Sequence, residues 1–386
     1  MDNKNKHRRD YYGEMPPRRE SQHHGHTSSR HALTSPHRKR RRIFLSLLII
    51  ALGLFYGGGA YLYHMLSTAK NAVNETYTAT NVKKLRNVSQ TLKDKKPISI
   101  LLLGTDTGDL GRTDKGRTDT IIVATINPST KKVTLTSIPR DLQVKVPGSE
   151  NSYDKINSAY TIGGVSTAIK TVQNTFHIPI DFYVLVNMGG LTKIVDALNG
   201  VTVTPTLTFS YEDANVTKGK KVTLNGKEAL SYSRMRYDDP LGDYGRQKRQ
   251  RQIITAIIKK SMSVSTLSSY KELLKTLEEN MQTDLTYDDI MTIISQYKAA
   301  GQKIKSYTVQ GEDAMIDGSS YQVAPASVKQ KNSDRIRNEL GLEPSDEEFT
   351  GRIYAGYDNT SYDTNSSYDT SYDYSDSYSN DTSYGY

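Results

Sequence analysis

A chain of 386 residues has room for one large domain or two ordinary ones with tails, and a hydrophobic fraction of 35% with a mean hydropathy of −0.62 excludes a polytopic membrane protein. The absence of cysteine excludes a disulfide scaffold, a thiolate zinc site, an iron-sulfur cluster and cysteine catalysis. The net charge of +9 suits a nucleic-acid binder, but residues 1–42 hold 12 Lys/Arg against 4 Asp/Glu, so the basicity belongs to a tail and the remainder is close to neutral.

Taken in chain order, residues 1–42 are rich in Arg, His, Ser and Pro and read as a disordered cytoplasmic tail, in which six of the eight histidines belong to a solvated low-complexity tract rather than a metal site. The tail ends in Arg38-Lys39-Arg40-Arg41-Arg42, and residues 43–63 follow without a charge, a run of roughly 30 Å as a helix, the thickness of a bilayer core. A buried soluble helix would have nowhere to put five flanking cations, and a cleaved signal would have a shorter apolar stretch and an A-x-A site. The expectation is a single-pass signal anchor in the cell membrane, with its tail inside and the chain from Lys70 outside the cytoplasm. Residues 64–96 read as a polar stalk, 97–342 as the folded domain with its core at 97–310, and 343–386 as an acidic, disordered tail of Tyr, Ser and Asp. That tail repeats SYDT at 361–364 and 367–370, and contact of its tyrosines with the wall or a partner is the other reading.

Inside the domain, 98–103 is a buried strand, and 119–126 and 132–138 form a hairpin across Asn127-Pro128-Ser129-Thr130. A helix is predicted over 164–176, a strand over 181–187, and a helix over 191–198 closed by Asn199-Gly200. Further helices are predicted over 226–233, 244–262, 266–280 and 286–300. Interspersed strands and helices with one hairpin point to an α/β fold, a mixed central sheet flanked by helices in a single extracytoplasmic domain.

Three places carry candidate chemistry. The first strand runs into Asp106 and the second begins at Arg117-Thr118-Asp119, so neighbouring strands would put Asp106 and Asp119 at one rim, as turn residues or as ligands of a hard cation that also holds phosphate oxygens. Pro139 stops the third strand, leaving Arg140 either to project from its end or to pair with Asp141 on the surface. The densest signal is 230–251, with Arg234 and Arg236 followed by Asp243, Arg246, Arg249 and Gln250 at the start of a helix. At 100° per residue Arg246, Arg249 and Gln250 share a face with Ile253 and Ile257, a seat for an anion beside a greasy tail, while Lys248 and Arg251 point elsewhere and are expected to matter little. The competing reading is a solvated basic face. No histidine triad, G-x-S-x-G, Walker loop or zinc motif is visible.

The segments LLLGTD (101–106), GRTDT (116–120), SIPRD (137–141) and SRMRYDDPLGDYGRQKRQRQ (233–252), behind a basic tail and one apolar run, resemble the LytR-CpsA-Psr family over roughly 97–310. The resemblance implies an α/β/α fold with a hydrophobic pocket for a polyprenyl chain. It implies a phosphotransferase of Gram-positive walls that moves teichoic acid or capsular polysaccharide from undecaprenyl pyrophosphate to N-acetylmuramic acid of peptidoglycan, forming a phosphodiester. It further implies Mg2+ or Mn2+ at Asp106 and Asp119, pyrophosphate-binding arginines at Arg117, Arg140, Arg234, Arg236 and Arg246, a site glutamine at Gln250, and a functional acid at Asp243 that orients Arg246. Two other classes stay open: a regulator whose basic tail binds nucleic acid, disfavoured because those cations are the expected topology signal, and a polyprenyl pyrophosphate hydrolase or a wall-polymer-binding protein without catalysis. Nucleic acid is therefore not expected as a partner.

Overall fold

The run at Ile98 to Leu103 is apolar apart from Ser99, rather than alternating, because its strand is covered on both faces. The computed structural model describes residues 60–351 apart from 62, 65, 66, 69, 72, 73, 107–115, 151 and 264–279. The chain divides into Met1–Tyr61 and Leu62–Tyr386, and every element named below lies in the second unit. There β1 (Ile98–Thr105) pairs antiparallel with β2 (Thr118–Asn127), which turns into β3 (Lys132–Ser137) as the expected hairpin, Ile126 facing Val133. On the other side of β1 lies β6 (Phe182–Asn187), parallel to it. The short β11 (Met281–Thr283) and β12 (Lys303–Thr308) complete a mixed sheet in the order β11-β6-β1-β2-β3-β12.

Strand alternation divides the sheet's side chains between two cores. Leu101, Leu103, Ile121 and Val123 pack with α2 (Ser158–Phe176) and α7 (Ala326–Glu339). Ile98, Ile100, Ile122, Ala124 and Leu135 face the opposite way, toward α1 (Val88–Lys93), α5 (Gly242–Ser263) and α6 (Tyr287–Tyr297). A third cluster gathers α3 (Met188–Ala197), α4 (Gly226–Arg234) and four strands of three residues each: β7 (Val201–Val203), β8 (Phe209–Tyr211), β9 (Ala214–Val216) and β10 (Val222–Leu224). Two more small pairs, β4 (Gln143–Lys145) with β5 (Tyr153–Lys155) and β13 (Glu312–Ile316) with β14 (Ser319–Val323), flank the sheet.

Local chemistry explains the boundaries. Asn225 with Glu228 and Thr286 with Asp289 form reciprocal capping boxes that start α4 and α6. Asn199 and Gly200 adopt positive φ and stop the chain after α3, as read from the sequence. Gly163 and Gly164 break α2, Gly164 having a φ of 67°, so the helix expected from residue 164 is its second half.

Both ends of the domain extend beyond the expected limits. From Tyr77 the supposed stalk is docked: Thr78 N donates to the Thr283 carbonyl at 2.8 Å, Tyr183 Oη to the Thr78 carbonyl at 2.9 Å, and Arg86 Nε to Asp181 at 2.7 Å. Past Leu342, Phe349 packs against His177 in a tilted pair with ring centroids 4.3 Å apart, and the buried Lys329 donates to the Thr350 carbonyl at 2.7 Å. Residues 343–351 thus belong to the domain rather than to the tail. Among the described residues no helix is long and apolar enough to cross a membrane. Residues 1–42, the apolar run 43–63 except Ala60, Tyr61 and Tyr63, the helix expected over 266–280 except Asn280, and the tail beyond Gly351 lie outside the described residues.

Candidate active site

The antiparallel register that sets Gly104 opposite Thr120 brings the end of β1 and the start of β2 together, so Asp106 and Asp119 line the same cavity. Gly104 fits there because a Cβ would come 3.0 Å from the Thr120 Cβ. Beyond β3, Leu142 N donates to the Pro139 carbonyl, a turn that carries Arg140 to the same rim. Arg140 Nη1 donates to Asp119 at 2.8 Å, its Nε lies 3.4 Å from Asp141, and Lys155 holds Asp141 from behind at 3.2 Å. Burial opposes the Arg140 charge, but the Asp119, Asp141 and Asp243 carboxylates outweigh it and hold the guanidinium above its ordinary pKa.

The facing wall comes from α4 and α5. Arg234, Arg236, Arg246 and Gln250 line the cavity, while Asp243 stands behind, within 2.6 Å of Arg246. Arg246 is 7% exposed, and its pKa is lowered, first by burial and then, against the pull of Asp243 and Asp119, by Arg140 and Arg236. Its buried Nε has no hydrogen-bond partner among the described residues. A buried, incompletely satisfied guanidinium beside others of like charge is an anion site, because a doubly charged oxyanion would relieve both the repulsion and the unmet donor.

Below this rim the cavity, about 610 Å³ in volume, is apolar. Ile100, Leu102, Ala124 and Val184 floor it from the sheet, Leu191 and Ile194 close one side from α3, and Ile253, Ile254, Ile257 and Ile258 close the other from α5. The helix that presents Arg246 and Gln250 at its start therefore continues as a hydrocarbon wall, joining a charged mouth to a greasy interior.

The model of the LytR_cpsA_psr family matches residues 62–338. The chain belongs to that family. Its polyisoprenyl-teichoic acid--peptidoglycan teichoic acid transferase TagU from Enterococcus faecalis is 44% identical over 305 residues, 78% of this chain and 97% of the relative. A crystal structure of a Streptococcus agalactiae protein superposes with a TM-score of 0.63 at 39% identity, covering 70% of this chain and 96% of that one. TagT bound to LIIa-WTA, at 29% identity and a TM-score of 0.59, covers 69% of this chain and 99% of its own.

Of the residues singled out from the sequence, the structure gathers Asp106, Asp119, Arg140, Arg234, Arg236, Arg246 and Gln250 around this one cavity and sets Asp243 behind Arg246. Arg117 departs from the pattern: it is exposed, and it does not line the cavity. Arg249 does not share the site face either. It is buried under α4, donating to the Tyr232 carbonyl at 3.1 Å and pairing with the Met235 carbonyl and Asp239. Arg251, expected to be dispensable, is buried and donates to Ser137 Oγ at 2.7 Å. Sequence reasoning missed Tyr211 and Tyr237, which line the mouth. Tyr237 is exposed in a loop and Tyr211 ends a strand of three residues, so neither carries a periodic signal.

Among the described residues there is no cluster of three or more potential metal-ligating side chains. Two carboxylates at one rim nevertheless fit Mg2+, which takes one or two protein carboxylates and completes its octahedron with water and substrate phosphate.

Proposed function

We propose that this chain transfers a glycopolymer such as teichoic acid or capsular polysaccharide from a polyprenyl diphosphate carrier to a hydroxyl of peptidoglycan N-acetylmuramic acid. The observation that carries the reading is the junction of an arginine-lined mouth with an apolar cavity of about 610 Å³ along one helix. The family relative is named as a transferase of this kind, and TagT is described bound to LIIa-WTA. Arg140, Arg234, Arg236 and Arg246 hold the diphosphate, and the isoleucine wall of α5 takes the first isoprene units. The acceptor oxygen bonds to the phosphorus that bears the sugar as the bond to the bridging oxygen breaks; polyprenyl phosphate leaves with the electron pair, and the proton of the acceptor hydroxyl passes to solvent. The guanidiniums are already in place where that charge develops, so little reorganisation is needed. Asp243 positions Arg246. Asp106 and Asp119 would hold Mg2+ or Mn2+, which when bound neutralises phosphate charge.

The run at 43–63, with its basic flank, is a signal anchor in this reading, which places the cavity beside the outer leaflet where such a carrier lies. Protease added to intact protoplasts should then digest the domain and spare residues 1–42; digestion of the basic tail instead would refute the orientation. Reconstitution with lipid-linked teichoic acid and peptidoglycan oligomers should give polymer joined through a phosphodiester, lost in chelator and in Asp106→Ala. Lipid hydrolysis without joining would make the protein a hydrolase.

A further inference from the structure

Helix α6 carries more apolar surface than it buries. Ile290, Ile293 and Tyr297 belong to the core that also takes Ile254 and Ile258 of α5, whereas Met291 and Ile294 are exposed. At 100° per residue these five positions span one arc of about 160°, so the exposed pair is the outer flank of the buried face. Leu85 is exposed as well, next to Lys84, whose Nζ reaches Asp284 at 2.6 Å just before the helix. At the other end of α6, Tyr297 Oη donates to the Lys96 carbonyl at 2.7 Å, which brings the exposed Lys93 and Lys95 close to the exposed Lys298. Asp94 among them pairs with Lys96 at 3.4 Å, and the acids of the helix, Asp288 and Asp289, sit in its first turn, away from the lysines.

What covers this strip follows from charge and from where the chain enters the domain. Tyr77 bridges to Thr283, and Thr78 N donates to the Thr283 carbonyl at 2.8 Å, four residues before α6 begins at Tyr287. Thirteen residues, 64–76, separate Tyr77 from the end of the apolar run. They reach about 20 Å as a helix and at most about 50 Å extended, so an anchor at 43–63 keeps this end of the domain close to the bilayer. An apolar strip with lysines along one end is the pattern of an interfacial surface that meets anionic lipid.

We propose that the outer flank of α6, with Leu85 and the lysines Lys93, Lys95 and Lys298, docks the domain on the anionic surface of the bilayer. The proposal rests on the anchor reading above. It also orients the cavity, whose lining runs from Asp106 and Asp119 at the mouth to Ile126 and Val133, roughly 23 Å away at the rise of a strand. Ile126 faces Ile98, at the end of β1 that follows Lys96. With α6 on the lipid, the apolar end of the cavity turns to the bilayer and the arginines turn to the wall, which presents the head of a carrier to its acceptor.

The chain has no cysteine, so single ones can be introduced and labelled one at a time. Full-length Ile294→Cys and Met315→Cys, the latter in the exposed β13–β14 hairpin that bonds the Asp141 carbonyl through Gln322 N, take an environment-sensitive fluorophore in phosphatidylglycerol vesicles containing nitroxide lipid. The label at position 294 should be quenched about threefold more than that at 315, because an interfacial helix sinks its apolar side into the headgroup region. Its quenching should fall toward the 315 value in phosphatidylcholine, and also when Lys93→Glu, Lys95→Glu and Lys298→Glu are combined. Equal quenching at the two positions, with the protein retained in the vesicles, would overturn the docking surface alone. Quenching at 294 that neither neutral lipid nor the three substitutions reduce would overturn docking on anionic lipid. A blue-shifted label that nitroxide lipid does not quench would mean that protein covers the face, a second copy or another segment of this chain, and would overturn the proposal too. Extraction of the protein from the vesicles by alkaline carbonate would instead overturn the anchor reading, and with it the tether that the docking needs.

Discussion

Within six residues of α5, Arg246, Arg249 and Arg251 face three environments, and the same substitution should read out differently at each. Arg249 is 2% exposed with its guanidinium shared among two carbonyls and Asp239. Arg249→Ala would strand a buried carboxylate and should cost about 3–5 kcal/mol in urea unfolding, with Arg249→Lys failing to restore it because the three donors of an ammonium radiate from one nitrogen and cannot span acceptors placed around a guanidinium. Arg246 is different, since burial and two like charges already work against its charged form. Arg246→Ala should therefore cost no more than about 1 kcal/mol of stability while abolishing most binding of polyprenyl diphosphate. A large stability loss with intact lipid binding would make Arg246 structural. Helical spacing placed Arg246, Gln250, Ile253 and Ile257 on the cavity side, where the structure has them. It could not separate Arg249 from them, because an angle on a wheel does not reveal that a carbonyl and a carboxylate from the preceding loop arrive on that flank.

At the scale of elements, the strands and helices that support the site were the legible ones. β1, β2 and β3 are long enough for burial to leave a pattern, and Pro139, Asn199 and Gly200 mark real ends. The three-residue strands β4, β5 and β7–β11 were not legible, since three residues hold no periodicity and their pairing depends on tertiary neighbours. The C-terminal segment was missed for another reason: it is fastened by main-chain carbonyls, which sequence does not distinguish. Lys329 on α7 makes that attachment and is 4% exposed, and burial lowers its pKa from 10.5 to about 8. A lysine pKa depressed by folding means that the unfolded chain holds more protons than the folded one between about pH 8 and 10.5, so this group's contribution to stability rises with pH across that window. Lys329→Met removes the titration. The wild type should gain on the variant by up to about 3 kcal/mol as pH increases from 8 toward 10.5, read as the difference between their urea midpoints. A constant difference would show that Lys329 is charged in both states throughout.

For the molecule as a whole, the sharpest question is where the folded unit begins. Composition sets the start at Pro97, because residues 64–96 are polar and the first apolar strand follows. The structure shows why that misleads: polar side chains of this segment are ties rather than a solvated surface. Asp181 is completely buried at the entry to β6 and accepts from Ser99 N at 2.7 Å and from both Nε and Nη2 of Arg86. Lys84 Nζ reaches Asp284 at 2.6 Å, and the Asp284 carboxylate also accepts from Tyr183 N at 2.8 Å. A fragment of residues 97–351 keeps both carboxylates and loses both cations. An uncompensated buried charge costs about 3–5 kcal/mol, which is a large share of the stability of an ordinary domain. Residues 76–351 should therefore unfold cooperatively and bind polyprenyl diphosphate, whereas 97–351 should be degraded quickly by protease or fail to accumulate. Asp181→Asn in the shorter fragment separates the electrostatic cause from simple loss of packing, because it removes the unpaired charge and leaves the amide able to accept from Ser99 N. Partial recovery of stability in that variant would show that the segment before Pro97 neutralises the sheet's buried carboxylates; no recovery would mean that its role is packing alone.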